Sequence, residues 1–273
     1  MSERPDASRP LTHGDYTQLA AAYARHRAGY APTMPAALFG LTRDALDATR
    51  PPVLVDVGAG TGIWTRSLAE LGCRTIAIEP NDAMRALGEG HAANAAHEIE
   101  WRVGSAENTG LAQESAELVT MASAFHWTDV PRAIEEFARV LRPGGVFAAL
   151  WNTRILEGQP LLEEIEAELR RLVPELEPRA SGGSAFCAGL RERLLDHDVF
   201  DRVTYLESRH VERMTPERYL GLWHSVNDVR VQAGEERFAR FLAFVERRLA
   251  GRASIDCPYR TRAWAARVPL EKP

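Results

Sequence analysis

The sequence predicts an α/β fold with a doubly wound parallel sheet. Two observations carry this prediction. Strand-like apolar runs alternate with helix-like segments from about residue 52 to residue 211. The first apolar run, at 53–57, ends in a glycine-rich turn that leads directly into a helical pattern at 63–71. Such a strand–turn–helix unit places the carboxyl end of a strand beside the start of a helix, where open α/β sheets bind ligands.

The strands of this sheet follow from short apolar runs bounded by turn residues. We predict strands at 53–57, 75–79, 100–103, 118–122, 145–151 and 202–208, with a last strand at 259–268. The run Leu141-Arg142-Pro143-Gly144-Gly145 is predicted as the turn that ends one helix and launches the fifth strand, because proline and glycine stop a helix and allow a reversal.

Helices outside the sheet are predicted by apolar residues at helical spacing. One lies at 16–25 and another at 35–49, where Pro35 is tolerated in the first turn. A third, at 161–173, and a late helix at about 238–249 each carry one apolar face. A Gly/Ser-rich break at 180–184 separates them. We therefore predict an N-terminal helical cap segment (1–50), a cofactor-binding core (51–154), and remaining core strands with an inserted helical cap (155–273).

Composition narrows the function classes. The net charge is −5, which gives no support to nucleic-acid or anionic-membrane binding. The first ten residues are polar and no run of 18 apolar residues occurs, so we expect neither a signal peptide nor a membrane span. The three cysteines are too widely spaced for a metal site. We expect a cytoplasmic protein with reduced thiols, no metal and a small-molecule partner; the oligomeric state is not readable.

The glycine-rich turn predicts a nucleoside cofactor. Gly58, Gly60 and Gly62 alternate, and Asp56 stands two residues before the first of them. A dinucleotide fingerprint would need a third glycine where Ile63 stands. A buried acid beside the glycines would repel a pyrophosphate but accept hydrogen bonds from an ammonium group. Glu79, 21 positions after Gly58, has the spacing of an acid that faces ribose hydroxyls.

At this loop the sequence resembles the class I S-adenosylmethionine-dependent methyltransferases, whose first motif is similar to residues 55–62. The resemblance implies a Rossmann-like, seven-stranded methyltransferase sheet with helices on both faces and a helical cap. It also implies S-adenosyl-L-methionine as cofactor and methyl transfer to an oxygen, nitrogen or carbon atom of a small molecule, with natural products and carboxylic acids as candidate substrates. Phe125-His126-Trp127 resembles a segment of the trans-aconitate methyltransferase-like subgroup.

The chemistry of the loop and the resemblance together imply roles for most of the site residues, and some of these roles have structural alternatives. Trp223 and His224 are selected only by their position in the predicted cap. Predicted cofactor contacts are Tyr16, Arg27, Asp56, Gly58, Gly60, Thr61, Glu79, Pro80, Met84, Ala106, Glu107, Ser123 and Phe125. His126 is the predicted catalytic base, with a pocket-shaping structural role as the alternative. Predicted substrate contacts are Tyr23, Trp127, Trp223 and His224. Met84 and one of the two aromatic residues beside His126 would otherwise fill the core. Glu107 would otherwise be a solvated acid at a helix start, and the N-terminal tyrosines and Arg27 would otherwise be surface residues.

Two other functions stay open at this point. A nicotinamide-dependent oxidoreductase is disfavoured by Ile63 and Asp56 in the glycine loop. A non-catalytic S-adenosylmethionine-binding protein would share nearly all of the same residues, because the cofactor supplies the reactivity and the protein supplies binding and orientation.

Overall fold

The computed structural model describes residues 15–92, 97–177 and 185–271. Its seven strands form one sheet in the order β3-β2-β1-β4-β5-β7-β6. The strands are β1 (Val53–Val57), β2 (Arg74–Ile78), β3 (Ile99–Arg102), β4 (Ala116–Ala122), β5 (Leu141–Arg154), β6 (Arg202–Met214) and β7 (Ile255–Arg267). β1 pairs in parallel with both β2 and β4, and β2–β3 and β4–β5 are also parallel pairs. The predicted doubly wound α/β sheet is confirmed.

The direction of winding reverses between β1 and β4. The chain passes from β1 outward to β2 and β3, then returns to β4 on the other side of β1. The segments that follow β1 and β4 therefore lie on opposite faces of the sheet, which leaves a crevice between the carboxyl ends of these two strands. Open α/β sheets bind ligands at a crevice of this kind.

Helices cover both faces of the sheet, because successive side chains of a strand point to opposite faces. The helices of the chain are α1 (Ala20–His26), α2 (Met34–Gly40), α3 (Ile63–Ala69), α4 (Asp82–Ala92), α5 (Val130–Val140), α6 (Pro160–Leu172), α7 (Ala185–Ala188), α8 (Leu190–Leu195), α9 (Pro216–His224) and α10 (Asn227–Leu249). On one face, Val55 packs in a cluster with residues of α5 and α8. On the other face, Leu54 packs with residues of α2 and α3.

Residue packing divides the chain into two compact units. The core unit comprises residues 29–153, 180–210 and 260–273, and contains the glycine loop. The helical unit comprises residues 1–28, 154–179 and 211–259. In the helical unit, α6, α9 and α10 share a cluster of buried side chains that includes Ile165, Tyr219 and Phe241. The predicted boundaries at residues 50 and 154 stay predictions.

Several predicted bounds differ from the structure. The segment at 35–49 contains the short helix α2 and a single 3₁₀ turn, Arg43–Ala45, rather than one long helix. The first helix begins at Ala20 rather than at residue 16. Helix α10 begins at Asn227, well before the predicted start, and is interrupted at Gly234, whose φ is 70°. The predicted Gly/Ser-rich break at 180–184 lies outside the described residues.

The largest strand correction concerns β5. Ala116 of β4 pairs with Leu141, whereas Leu118 pairs with Val146, so the segment between Leu141 and Val146 forms a bulge inside the strand. The predicted turn at 141–145 is this bulge, and Gly144 within it has a φ of 77°. Proline and glycine suit a bulge as well as a turn, because both interrupt the regular hydrogen bonding between strands.

Candidate functional site

The glycine loop between β1 and α3 has a left-handed backbone at each of its glycines. The φ angles of Gly58, Gly60 and Gly62 are 68°, 58° and 76°. Residues with a side chain rarely adopt this conformation, so the alternating glycines are required by the path of the chain. A Cβ atom at Gly58 would also lie 2.8 Å from Cβ of Ala124, after β4. The loop therefore passes close to the chain that leaves the neighbouring strand.

Glu79 connects this loop to the end of β2. Its Oε2 accepts a hydrogen bond of 2.7 Å from the Gly60 amide, and its Oε1 accepts one of 2.8 Å from the Asn81 amide. Burial raises the pKa of the Glu79 carboxyl, while the bonds from Asn81 and Gly60 and the charge of Arg85 oppose that rise. Because each carboxylate oxygen can accept more than one hydrogen bond, Glu79 keeps acceptor capacity for a ligand.

Asp56 lies under the loop with no exposed surface. Its Oδ2 accepts a 2.6 Å hydrogen bond from the Thr65 hydroxyl, and Thr120 approaches its Oδ1 at 3.3 Å. Burial raises the pKa of Asp56 from 3.8 to about 7, the two hydroxyls oppose the rise and the Glu79 charge adds to it. The predicted contact of Asp56 with an ammonium group stays a prediction.

The loop offers one polar group whose partner is not supplied within the described residues. Thr61 is fully buried, and its hydroxyl there has no hydrogen-bond partner. Its carbonyl accepts a 2.9 Å bond from Nη1 of Arg66. Met84 is buried, and a Cβ atom added to Gly60 would lie 3.2 Å from the Met84 methyl group. These donor and acceptor groups suit a small ligand that carries hydroxyl and amine groups. Pro80, which follows Glu79, is exposed.

The turn after β3 holds two further predicted contacts. Ala106 is buried in the core. Glu107 accepts a 2.9 Å hydrogen bond through Oε1 from the backbone amide of Asp129. Burial alone would raise the pKa of Glu107, but hydrogen bonds from Asp129, its own amide and Ser105 outweigh it and lower the pKa. Glu107 therefore joins the turn after β3 to the start of α5.

Ser123, directly after β4, has a strained backbone. Its φ is 56°, in a region that residues other than glycine seldom occupy. Its amide donates to the Leu150 carbonyl at 2.7 Å, and its hydroxyl lies 3.0 Å from the hydroxyl of Tyr30. Tyr30 in turn packs edge-on against Trp64. Strain of this kind at the crevice between β1 and β4 is typical of a functional site.

The Phe125–Trp127 segment forms a 3₁₀ turn that separates its side chains. Phe125 is fully buried against Phe147 and neighbouring rings, so its predicted contact with the cofactor has no structural support. Trp127 is 39% exposed, which is compatible with a predicted substrate contact. The His126 ring centre lies 4.5 Å from that of Trp127, and Nδ1 of His126 is 3.4 Å from Nε1 of the Trp151 indole.

The remaining predicted residues belong to the helical unit. Tyr16 and Tyr23 pack edge to face at 5.6 Å, and the Arg27 guanidinium lies 4.9 Å from the centre of the Tyr23 ring. Burial raises the pKa of Tyr16, against the opposing charge of Arg27. Trp223 is 1% exposed and packs in the core of this unit, so a substrate contact there has no structural support. His224, next to it, is exposed.

Sequence reasoning missed the residues that support the site. Thr65 and Thr120 hold Asp56, and Tyr30 holds Ser123. A threonine in the first turn of a helix or in a buried strand gives no pattern of its own. For Thr120 the available signal was its place in the strand order, since it is in register with Asp56 on the neighbouring parallel strand.

Comparisons with known proteins agree with this geometry. Residues 55–149 match the family model described as a methyltransferase domain. An uncharacterized methyltransferase of Mycobacterium tuberculosis is 37% identical over 140 residues, 49% of this chain and 50% of that protein. A ubiquinone/menaquinone biosynthesis C-methyltransferase of Rubrivivax gelatinosus is 35% identical over 100 residues, 36% of this chain and 38% of that protein.

One solved structure extends the likeness over most of the fold. A protein from Anaeromyxobacter dehalogenans, provisionally assigned as a type II methyltransferase, aligns with a TM-score of 0.64 at 23% identity, over 90% of this chain and 99% of its own. The chain spans about half the length of the mycobacterial relatives it matches. Among the described residues, no helix is long and apolar enough to cross a membrane and no group of side chains could hold a metal ion. Residues 55–149 therefore resemble a methyltransferase domain, and the chain has the α/β Rossmann-like fold of the solved Anaeromyxobacter structure.

Proposed function

We propose that the protein is an S-adenosylmethionine-dependent methyltransferase that acts on a small-molecule acceptor. The observation that carries the proposal is the bond between the Gly60 amide and the Glu79 carboxylate. It closes a loop of left-handed glycines over the ends of β1 and β2, beside the crevice at β4. An acidic residue held at that place is suited to ribose hydroxyls.

The cofactor, when bound, supplies a methyl group on a positively charged sulfur. The residues of the chain have the task of binding it, orienting it and keeping out water. Glu79 accepts from the ribose hydroxyls, the Thr61 hydroxyl provides a further polar contact and Met84 packs against the base. The Glu79 carboxylate and the acceptor oxygens of the buried Asp56 side chain suit a cationic ligand with N–H groups better than a pyrophosphate.

A small-molecule acceptor is supported by the relatives and by the charge of the chain. One relative is by its name a C-methyltransferase of quinone biosynthesis. The net charge of −5 is unsuited to a nucleic-acid substrate. The same acidic loop, with Ile63 in place of a third glycine, disfavours the nicotinamide-dependent alternative. The acceptor atom stays open, because oxygen, nitrogen and carbon acceptors all suit this fold.

Removal of the Glu79 carboxylate tests the proposal. The variant Glu79→Ala should weaken S-adenosylmethionine binding by a factor of at least about 10, because it removes charge-assisted hydrogen bonds to the ribose and frees the loop. The matched control is Glu70→Ala, an exposed acid at the end of α3. Isothermal titration measures both affinities, and circular dichroism confirms that both variants fold. Equal affinities in the two folded variants would contradict the role of Glu79.

The role of His126 is tested separately, because its geometry favours positioning over base catalysis. An indole N–H can only donate, so Nδ1 of His126 accepts from Trp151 and the proton of the neutral ring lies on Nε2. The variant His126→Asn keeps an acceptor near the position of Nδ1, whereas His126→Ala removes it. We expect the first to keep most of kcat and the second to lose it. Equal loss of kcat in both variants would instead support a base.

A further inference from the structure

Strand β6 forms one edge of the sheet. It extends over 13 residues, Arg202–Met214, whereas strands of five or six residues are typical. On its inner side it neighbours β7, and no strand of the described residues pairs with its outer side. An outer edge of this kind presents a row of backbone N–H and C=O groups that can pair with another strand.

Edge strands are commonly protected from pairing by proline, by β-bulges or by charged side chains, lysine above all. The strand β6 has the sequence RVTYLESRHVERM, which contains neither proline nor lysine. Its charged residues are three arginines and two glutamates, so they repel a partner strand only where like charges meet. Every second side chain of β6 points to the same face of the sheet. On this face Tyr205 is 47% exposed, and the side chains of Glu207 and Arg209 are 30% and 68% exposed. The edge strand is thus long and accessible, and it carries charges of both signs at alternate positions on one face.

The pattern is complementary to itself in the antiparallel register that gives full overlap of the two strands. If Ser208 lies opposite Ser208 of a second copy, β6 overlaps β6 over its full length. Glu207 then lies opposite Arg209 of the second copy, and by symmetry Arg209 lies opposite Glu207. Centring the pair on Glu207 or on Arg209 instead would place two like charges opposite each other. Directly opposite residues of unlike charge stabilise an antiparallel pair, and like charges destabilise it.

We propose that β6 is a dimerisation edge that pairs antiparallel with β6 of a second copy of this chain, centred on Ser208. A two-fold axis midway between the two strands, beside the paired Ser208 residues, generates this interface, in which the same surface of each copy is used. The arrangement joins two sheets into one continuous sheet and places the Glu207–Arg209 pairs at its centre.

Glu207 is already held in position for this pairing. Its Oε2 accepts a 2.7 Å hydrogen bond from the Tyr205 hydroxyl, and its Oε1 lies 3.2 Å from Nε of Arg260 on β7. An ordered side chain loses less conformational freedom on association than a mobile one. Arg209 approaches the same carboxylate only at 4.0 Å, so its guanidinium can turn to a partner at little cost.

The test uses reciprocal charge reversal and sedimentation velocity at micromolar protein concentration. The wild type should be dimeric. Each single variant, Arg209→Glu or Glu207→Arg, should weaken the dimer about thirtyfold, because two attractive cross-strand pairs become repulsive. An equimolar mixture of the two variants should form a heterodimer, since each repulsive pair becomes attractive again. Arg191→Glu, an exposed reversal on α8, is the matched control and should leave the dimer intact.

Three results would overturn the proposal. The first is a wild-type protein that is monomeric under these conditions, with or without an extended peptide of another protein bound to the edge. The second is an Arg209→Glu variant whose dimer dissociation constant is no weaker than that of the Arg191→Glu control. The third is a mixture of folded single variants that does not form a heterodimer. The heterodimer experiment remains decisive if one reversal alters local packing around Arg260, because restored association requires both strands to be intact.

Discussion

The stability advantage of the variant Asp56→Asn over the wild type should grow as the pH rises, because the wild type loses stability with pH and the variant does not. Asp56 is fully buried, and burial raises its pKa from 3.8 to about 7, although Thr65 and Thr120 oppose the rise. In the unfolded chain this carboxyl ionises near its ordinary value. Between these two pKa values the folded state holds a proton that the unfolded state has released, so stability falls as the pH rises.

The magnitude follows from the size of the shift. A difference of about 3 pKa units corresponds to about 4 kcal/mol of stability lost between pH 3.8 and pH 7. Asparagine is neutral throughout this range, and its amide oxygen can still accept the hydrogen bond from Thr65. The free energy of unfolding of Asp56→Asn, minus that of the wild type, should therefore rise by about 4 kcal/mol across the window and then level off.

Urea denaturation at several pH values from below 4 to above 8 measures this difference directly. Asp82→Asn is the matched control, because the Asp82 side chain is 86% exposed and its substitution should give a small, nearly constant difference. A flat difference for Asp56→Asn, like that of the control, would refute the reasoning. So would a difference that falls as the pH rises, which would mean that the loop stabilises the ionised carboxylate more than burial opposes it.

Two further substitutions test the loop and the opposite end of the sheet. Gly58→Ala should destabilise the fold by at least about 2 kcal/mol and weaken cofactor binding, because a left-handed alanine would also lie too close to Ala124. Gly72→Ala, with a similar φ and open space around it, should cost only about 1 kcal/mol and leave binding unchanged, and equal effects would contradict the contact argument. Glu117→Gln should cost about 3 kcal/mol in urea denaturation, because Glu117 is buried and paired with Arg50 at 2.6 Å; a cost near zero would show that solvent screens the pair.

The fold was predictable from the sequence where the pattern is local. The alternation of apolar runs and helical segments predicted both ends of β1 correctly, and the glycine spacing predicted the turn that follows this strand. The bulge in β5 was not predictable, because the same proline and glycines are compatible with a turn or with an interruption inside a strand. Helix α10 was predicted too short, because its first residues carry polar side chains that the fold nevertheless buries, such as Asn227.

The candidate site was predictable only in part, for a related reason. Acids and glycines at fixed spacing predicted Glu79 beside the loop, and the structure joins them by a hydrogen bond. The buried positions of Phe125 and Trp223 were not predictable, since an aromatic residue near a site gives the same pattern whether it lines a cleft or fills the core. Tyr30, which reaches Ser123 from 93 positions away, depends on tertiary contact alone.

The central claim is that the glycine loop binds S-adenosylmethionine, and calorimetric titration of the purified protein tests it most directly. S-adenosylmethionine, S-adenosylhomocysteine and NAD serve as parallel ligands under identical conditions. The account predicts micromolar binding of the first two ligands and no detectable binding of NAD. Binding of NAD alone would contradict it, because it would mean that the loop of Gly58, Gly60 and Gly62 accommodates a pyrophosphate despite the acids that surround it.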